Sequence, residues 1–250
     1  MKKDKKIFFA SDFHLGLKAG TDPIEREKKV VRWLKAVAPE AGSIYLIGDI
    51  FDFWWEYKLV VPRGFTRFLG VLSEMTDSGI PVHFFTGNHD MWISDYLSKE
   101  CGLNLHTKPL TFDTDNKSFY LAHGEGLGSK DTGYRILLSI FRNKPLRVLY
   151  SALHPSIGIK LGHMWSLNSR LGKGIRREFK GEDHEALIIH AKSVLKEKQI
   201  DFFIFGHRHL ALKYHLKEGS EIIFLGEWLS GSSYAVWDGE ELILKNQDQP

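Results

Sequence analysis

Short apolar runs that end in polar residues recur along the chain. Several are four residues long and rich in β-branched and aromatic side chains, namely Ile7–Ala10, Ile44–Ile47, Val82–Phe85, Phe119–Ala122 and Phe202–Phe205. This length and composition are typical of buried strands.

Helical patterns lie between several of these runs. Asp22 followed by Pro23 is an N-cap with proline at the first helical position, and apolar residues then recur at helical spacing through 24–38. Similar apolar stripes occupy 65–75 and 187–195. Strands that alternate with helices in this way predict a largely parallel sheet.

The end of the chain follows a different pattern. Ile222–Leu225, Tyr234–Trp237 and Leu242–Leu244 are strand-like, and Asp238-Gly239 is a hairpin-turn signal. This predicts an antiparallel addition. A length of 250 residues fits one large α/β domain or two small ones, and we expect a single domain over 1–250.

Composition narrows the class of protein. Hydrophobic residues make up 43% and charged residues 26%, which is ordinary for a globular protein.

Cys101 is the one cysteine of the sequence, so no internal disulfide is expected. The apolar run after the basic N-terminus is too short for a secretory signal, and no stretch approaches the roughly 18 apolar residues of a membrane span. We therefore expect a cytoplasmic protein, either soluble or bound to a membrane surface.

Charge is distributed unevenly along the chain. Between Tyr134 and Lys180 there are ten Lys or Arg residues and one acid, Glu178, although the whole chain carries only +3. Pro145 and Pro155 divide this segment, which predicts short helices. We interpret the segment from about 130 to 180 as a helical insertion over the core. Its charge favours an anionic partner such as a nucleic acid, a phosphorylated lipid or a membrane surface.

Metal-ligand side chains follow the predicted strands. The candidates are Asp12, His14, Asp49, Asn88, His123, His207 and His209. Alternate residues of an extended backbone point to the same side, so we expect Asp12 and His14 to face one ion. Carboxylate, amide and imidazole ligands suit Mn²⁺, Fe or Zn²⁺. Seven ligands exceed the needs of one ion, and two ions with a bridging carboxylate would use them all.

Each cluster has an ordinary explanation when it stands alone. Asp12-x-His14 is more often a cap or a surface turn, His123 a hydrogen-bonded core histidine, and Gly87-Asn88 a turn. Their joint occurrence at strand ends favours metal binding, because buried carboxylates and imidazoles are costly without partners.

The ordered series of clusters resembles the calcineurin-like metallophosphoesterase superfamily. The matching motifs are Asp12-x-His14, Gly48-Asp49-x-x-Asp52, Gly87-Asn88-His89-Asp90, His123 and Gly206-His207-x-His209. The resemblance implies a sandwich of two mixed β-sheets flanked by helices. It also implies one ion on Asp12, His14, Asp49 and His209, a second on Asn88, His123 and His207, and Asp49 as the bridge. The expected ions are two divalent metals, Mn²⁺ before Fe or Zn²⁺.

A narrower resemblance is to the UDP-2,3-diacylglucosamine pyrophosphohydrolases of lipid A synthesis. The motifs that carry it are 123–126, 131–134, Asn168-Ser169 within a basic insertion, 48–51 and 225–228. It implies cleavage of a lipid-linked nucleotide to UMP and a diacylglucosamine 1-phosphate. By motif position it implies substrate contacts from Asp131, Tyr134, Asn168, Ser169, Lys173 and Arg176. The best-known branch has an arginine where this chain has His89.

Three further residues of the motifs have predicted roles. His89 neighbours Asn88, so its side chain should point away from the ligand positions. We expect it to stabilise developing charge or protonate the leaving oxygen, and we expect Asp90 to orient it. Asp52 either supports the site in the same way or caps a helix.

Two other functions remain open at this stage. One is a nuclease or nucleotide phosphodiesterase, which the aliphatic content of the basic segment disfavours, since nucleic-acid grooves more often interleave stacking aromatics. The other is a scaffold without activity, which the complete ligand set disfavours. The expected partners are a lipid-linked nucleotide and an anionic membrane, at the inner face of the inner membrane. No obligate protein partner is inferred.

Overall fold

The computed structural model describes residues 5–128, 132–173, 178–217 and 219–248. Strands and helices alternate through most of it, as the sequence predicts. The elements are β1 (Lys6–Ala10), α1 (Pro23–Val37), β2 (Ala41–Ile47), α2 (Thr66–Asp77), β3 (Val82–Phe85), α3 (Tyr96–Cys101), β4 (Asn104–His106), β5 (Leu110–Thr114), β6 (Lys117–Ala122), α4 (Thr132–Arg142), α5 (Lys144–Ser151), α6 (Pro155–Lys173), α7 (Ala186–Leu195), β7 (Phe202–Phe205), β8 (Ala211–His215), β9 (Glu221–Leu225), β10 (Ser233–Trp237) and β11 (Leu242–Asn246).

The strands form two mixed sheets. The six-stranded sheet has the order β11-β10-β1-β2-β3-β4, and the five-stranded sheet has the order β5-β6-β7-β9-β8. In the first sheet β1 to β4 are parallel, and the β10–β11 hairpin is added antiparallel to β1. In the second, β6, β7 and β9 are parallel between the antiparallel edge strands β5 and β8. This architecture confirms the predicted fold class.

The side chains of each strand alternate between the two faces of its sheet, and this divides the core into layers. Ile7 and Phe9 of β1 pack between the two sheets, where they meet Phe119 of β6. Phe8 faces the opposite way, toward a cluster that contains Trp33 of α1. Successive side chains of a strand point to opposite faces, so a continuous apolar run such as 7–10 fills both layers. α7 covers the outer face of the second sheet in the same way.

Helices α4, α5 and α6 make up the described part of the segment between β6 and α7. Pro145 lies in the first turn of α5, and Pro155 is the first residue of α6. Proline is tolerated at these positions because the first helical amides have no intrahelical acceptor. We call α4–α6 the cap. Within the described residues, no helix is long and apolar enough to cross a membrane.

Candidate active site

The metal-ligand candidates collect where the strands of the two sheets end. Asp12, His14, Asp49, His207 and His209 all have left-handed backbones, with φ between 45° and 64°. The expectation that Asp12 and His14 lie on an extended backbone is therefore wrong. Non-glycine residues rarely adopt this conformation, and such residues cluster at functional sites because the surrounding structure must hold them there.

The motif glycines allow the loops to approach each other closely. A Cβ atom at Gly87 would collide with the carboxylate and backbone nitrogen of Asp49. Glycine therefore lets the loop after β3 pass directly over Asp49. The amide of His89 in this loop donates a hydrogen bond of 2.9 Å to Asp49 Oδ1.

Two groups of potential ligand atoms form around Asp49. Asp12, His14, Asp49 and His209 offer atoms that all lie within 4.8 Å of one another, and so do Asp49, His123 and His207. Asp49 belongs to both groups, as a bridging ligand must. The Nε2 atoms of His14 and His209 face each other at 3.1 Å, which suits two imidazoles that share one ion.

Buried polar atoms at the site make no hydrogen bond with any described residue. They include Asp12 Oδ1, Asn88 Oδ1 and His123 Nε2. His123 Nε2 lies 3.3 Å from Asp49 Oδ2, but not in the geometry of a hydrogen bond. Such atoms are costly to bury without partners. The donor set therefore fits divalent cations, with Asn88 adding an amide oxygen beside the second group.

Neighbouring groups orient the ligands. The Nδ1–H of His123 donates to the carbonyl of Ile47 at 2.8 Å, which leaves Nε2 as the coordinating atom. Asp12 Oδ2 accepts hydrogen bonds from Ser11 Oγ at 2.6 Å and from the His207 amide at 2.9 Å. One carboxylate oxygen of Asp12 is thus held in place while Oδ1 faces the centre.

Electrostatics at the site favour a bound cation. Burial lowers the pKa of His207 to about 3, so this imidazole is neutral and able to coordinate. Burial also acts to lower the pKa of His123, but the adjacent Asp49 carboxylate raises it well above its ordinary value. A metal ion at Asp49 would displace this proton, as metal binding to histidine requires.

His89 belongs to neither of the two groups around Asp49, although it offers a ring nitrogen within 4.8 Å of ligand atoms of His14 and Asp52. Its ring centroid is 5.1 Å from that of His14, and its Nδ1 donates to the Asp52 carbonyl at 3.0 Å. The ring is buried. Because Nδ1 is used in this way, Nε2 is the nitrogen left to meet a substrate.

Comparison with known proteins agrees with this geometry. The sequence model for the calcineurin-like phosphoesterase family matches residues 5–211. The chain belongs to this family. A UDP-2,3-diacylglucosamine hydrolase of Porphyromonas gingivalis is 42% identical over 257 aligned positions, which cover 97% of this chain and 98% of that protein. A protein of the same name from Nitrosococcus oceani is 25% identical, with 90% and 88% of the two chains covered.

Solved structures with a similar course of the chain include two phosphoesterases. YfcE of E. coli has a TM-score of 0.47 and 14% identity, with 98% of this chain and 95% of that chain covered. A dimetal phosphatase from Danio rerio has a TM-score of 0.47 and 14% identity, with 97% and 96% covered.

The predicted role of Asp90 in this phosphoesterase needs a correction. Asp90 does not orient His89, because its two oxygens accept hydrogen bonds from the amides of Gly87, Ile50 and Phe51 at 2.6, 2.8 and 3.3 Å. Burial, helped by the charge of Asp49, raises the pKa of Asp90 to about 7. Asp90 thus ties the loop after β3 to the loop after β2, and acts on His89 only through the backbone.

Of the two predicted roles of Asp52, the structure excludes the helix cap, and support of the site stays a prediction. No helix begins there, since α2 begins at Thr66, so the N-cap interpretation is wrong. Its carboxylate instead accepts a hydrogen bond of 2.7 Å from Ser166 Oγ, and lies 3.3 Å from His163 Nδ1. Ser166 and His163 belong to α6, and sequence reasoning missed both. Their spacing of three residues within the otherwise apolar stretch 161–167 is the signal that could have identified them.

The predicted substrate contacts lie outside what the structure describes. Asp131 and Arg176 fall outside the described residues, and so do the side chains of Tyr134, Asn168, Ser169 and Lys173. A nearby contact that the sequence did not predict is the ion pair between Arg142 of α4 and Glu125, at 3.2 Å. It joins the cap to the loop that carries His123.

Proposed function

We propose that this phosphoesterase hydrolyses the pyrophosphate bond of UDP-2,3-diacylglucosamine to UMP and 2,3-diacylglucosamine 1-phosphate. The observation that carries the proposal is the position of an apolar cavity beside a phosphoesterase metal centre. A lipid-linked nucleotide needs both features: ligands for cations that bind the diphosphate, and an apolar space for the acyl chains. The name shared by the curated relatives is in agreement.

The cavity lies between the core and the cap. It has a volume of about 320 Å³ and is lined on the core side by Phe53, Trp55 and Trp92, and on the cap side by Phe141 and Trp165 among others. This volume is at the lower end of the range for small-ligand sites, about 300–1,000 Å³. Each acyl methylene buried there would contribute about 0.8 kcal/mol, which is ample to select a lipid over a plain nucleotide.

The residues of the site divide the chemistry between them. Asp12, His14, Asp49 and His209 would hold one divalent ion, and Asp49, Asn88, His123 and His207 a second, with Mn²⁺ as the proposed metal. Such ions supply Lewis acidity and lower the pKa of a bound water. Near these ligands, the imidazolium form of His89, whose Nδ1–H donates to the Asp52 carbonyl, would donate a second hydrogen bond from Nε2 to the phosphate and stabilise the charge that develops on its oxygens. Water adds across the P–O–P bridge: its oxygen bonds to one phosphorus, and the bridging oxygen leaves with the other phosphate. The negative charge that develops on the bridging oxygen is carried by this leaving phosphate.

The cap has a surface suited to a membrane. Val148 and Leu149 of α5 are 72% and 68% exposed, and Ile157 and Met164 of α6 are also exposed. Basic residues such as Arg147 and Lys160 lie among them. Together they favour a peripheral position on an anionic membrane, at its cytoplasmic face, where this substrate would reside.

The test is turnover of UDP-2,3-diacylglucosamine with Mn²⁺ in a series of acyl-chain lengths, with UMP and the lipid phosphate measured by mass spectrometry. We expect kcat/KM to fall with each pair of methylenes removed. Phe141→Asp, which places a charge in the cavity, should remove this dependence. Phe179→Asp is the matched control, since the Phe179 ring lies against Tyr214 and is not part of the cavity wall. Equal turnover of long-chain and chain-free substrates would instead favour a nucleotide phosphodiesterase.

A further inference from the structure

The cap reaches the catalytic histidine through one helix. Gly158, Gly162 and Ser166 are the residues of α6 with fully buried positions among those described, and they recur every four residues. Residues at this spacing lie on one face of a helix. The cap therefore docks on the core through a stripe of small side chains.

The stripe brings α6 into close contact with the loop after β2. A Cβ atom at Gly162 would collide with the ring of Phe53, and one at Gly158 would collide with the hydroxyl of Tyr57. Asp52 is the residue before Phe53, so this contact also brings the α6 backbone near the catalytic centre. The third member of the stripe, Ser166, reaches Asp52 directly.

Ser166 connects two groups of the centre. Its hydroxyl donates to Asp52 Oδ1 at 2.7 Å, and its oxygen lies 3.3 Å from His89 Nδ1. The Nδ1–H of His89 is thus directed between the Asp52 carbonyl and the Ser166 hydroxyl. A hydroxyl can accept one hydrogen bond while it donates another, so all three contacts can exist together.

The same helix lines the apolar cavity. Gly162 and Trp165, which precede Ser166 along α6 by four residues and by one, are part of the cavity wall. The Trp165 ring also lies 5.8 Å from the His89 ring, centroid to centroid. A chain that fills the cavity therefore packs against the helix that holds the histidine.

We infer that Ser166 is a positioning residue for His89, and that α6 thereby couples occupation of the apolar cavity to catalysis. This inference rests on the proposed lipid-nucleotide hydrolase function. Binding energy from a remote part of the substrate then serves to orient a group at the reacting centre, so it raises kcat as well as lowering KM. Acyl-chain length should accordingly change kcat.

The first experiment is a comparison of single and double variants. Ser166→Ala should lower kcat about tenfold with little change in KM or metal content, because it removes the hydrogen bonds that orient His89. It also removes a donor from the buried Asp52 carboxylate, so kcat is compared at a temperature well below the melting temperature of each variant. In a His89→Ala background the same substitution should have no further effect, because Ser166 acts through the histidine. Ser156→Ala, an exposed serine of the same helix, is the control.

The second experiment uses chain length. Shortening the acyl chains should lower kcat in the unaltered enzyme and change it much less in Ser166→Ala. Additive losses in the double variant, a loss confined to KM, or chain-length effects on kcat that persist in Ser166→Ala would overturn the inference.

A chain-free probe separates this inference from the proposed function. If the enzyme hydrolyses bis(4-nitrophenyl) phosphate but not UDP-2,3-diacylglucosamine, the proposed function fails. The comparison of Ser166→Ala, His89→Ala and the double variant can still be made on the diester. Non-additive losses there would retain the positioning role, and additive losses would remove it.

Discussion

At the scale of single residues, the site depends on a buried carboxylate that neighbouring imidazoles keep ionised. Asp49 is the clearest case: burial acts to raise its pKa, yet the charges of His123 and His89 hold it well below its usual value. A carboxylate kept ionised in a buried place is a strong cation ligand. Its membership of both ligand groups makes it the proposed bridge between the two ions.

Replacing Asp49 should therefore remove both ions' shared ligand. We expect Asp49→Ala to bind fewer than two ions per chain and to lose more than about 1,000-fold in turnover, since metal activation of water is the largest catalytic contribution here. Metal analysis by mass spectrometry and an activity assay measure the two effects. Asp113→Ala, which removes an exposed carboxylate of β5, is the control. A variant that keeps two ions would show that Asp49 is not the bridge.

His89 should behave differently, because it lies outside both ligand groups. We expect His89→Ala to keep its metal and to lose roughly 100- to 1,000-fold in kcat, the usual range for a group that stabilises charge or transfers a proton. His154→Ala in the cap, where the imidazole is exposed, should leave kcat unchanged. Loss of metal from His89→Ala would place this histidine among the ligands.

At the scale of elements, the loops after β2 and β3 depend on one buried carboxylate. Asp90 accepts hydrogen bonds from both loops, and these loops carry Asp49 and Asn88. Asp90 therefore adds to the pairing of β2 with β3 in fixing the relative position of the two loops.

Asp90→Ala should accordingly destabilise the fold as well as the site. The amides of Gly87, Ile50 and Phe51 would lose their acceptor in a buried place, at a cost of about 3 kcal/mol. Urea unfolding of the metal-free protein measures this cost without a contribution from bound ions. Asp95→Ala, which breaks an exposed ion pair with Lys99, should cost less than about 1 kcal/mol. Equal stability of the two variants would contradict this role of Asp90 in joining the two loops.

At the scale of the whole molecule, the cap puts exposed apolar and basic residues on the side of the protein where the cavity lies. This arrangement would let a lipid substrate enter from a membrane without crossing water. The sheets carry no comparable surface among the described residues, since their outer faces are covered by helices.

Charge placed on this surface should weaken membrane binding. We expect Val148→Asp with Leu149→Asp to lower binding to phosphatidylglycerol-containing vesicles about tenfold or more, through lost apolar burial and repulsion by anionic lipid. Vesicle flotation measures it. Ile189→Asp, on an exposed position of α7 away from the cap, is the control. Equal vesicle binding by the unaltered protein, the double variant and the control would contradict the proposed membrane surface of the cap.

The sequence by itself determined the order of the main strands and helices and the set of candidate ligand residues. Four-residue apolar runs are typical of strands that are buried on both faces. Segments with apolar residues at helical spacing separate these runs. Because parallel strands end at the same edge of a sheet, the candidate ligand residues that follow them come together at that edge. Shorter or more polar elements, such as β4 and β8, lacked a pattern strong enough to predict.

Only the tertiary structure decided how these residues are held. The left-handed backbones at Asp12 and His14 arise from packing between loops, and local pattern contains no signal for them. The contacts of Asp90 and Asp52 join segments far apart in the chain, and the link from Ser166 to His89 spans 77 positions. The local sequence pattern cannot specify such pairs, because they depend on how the loops pack together and on how the cap docks on the core.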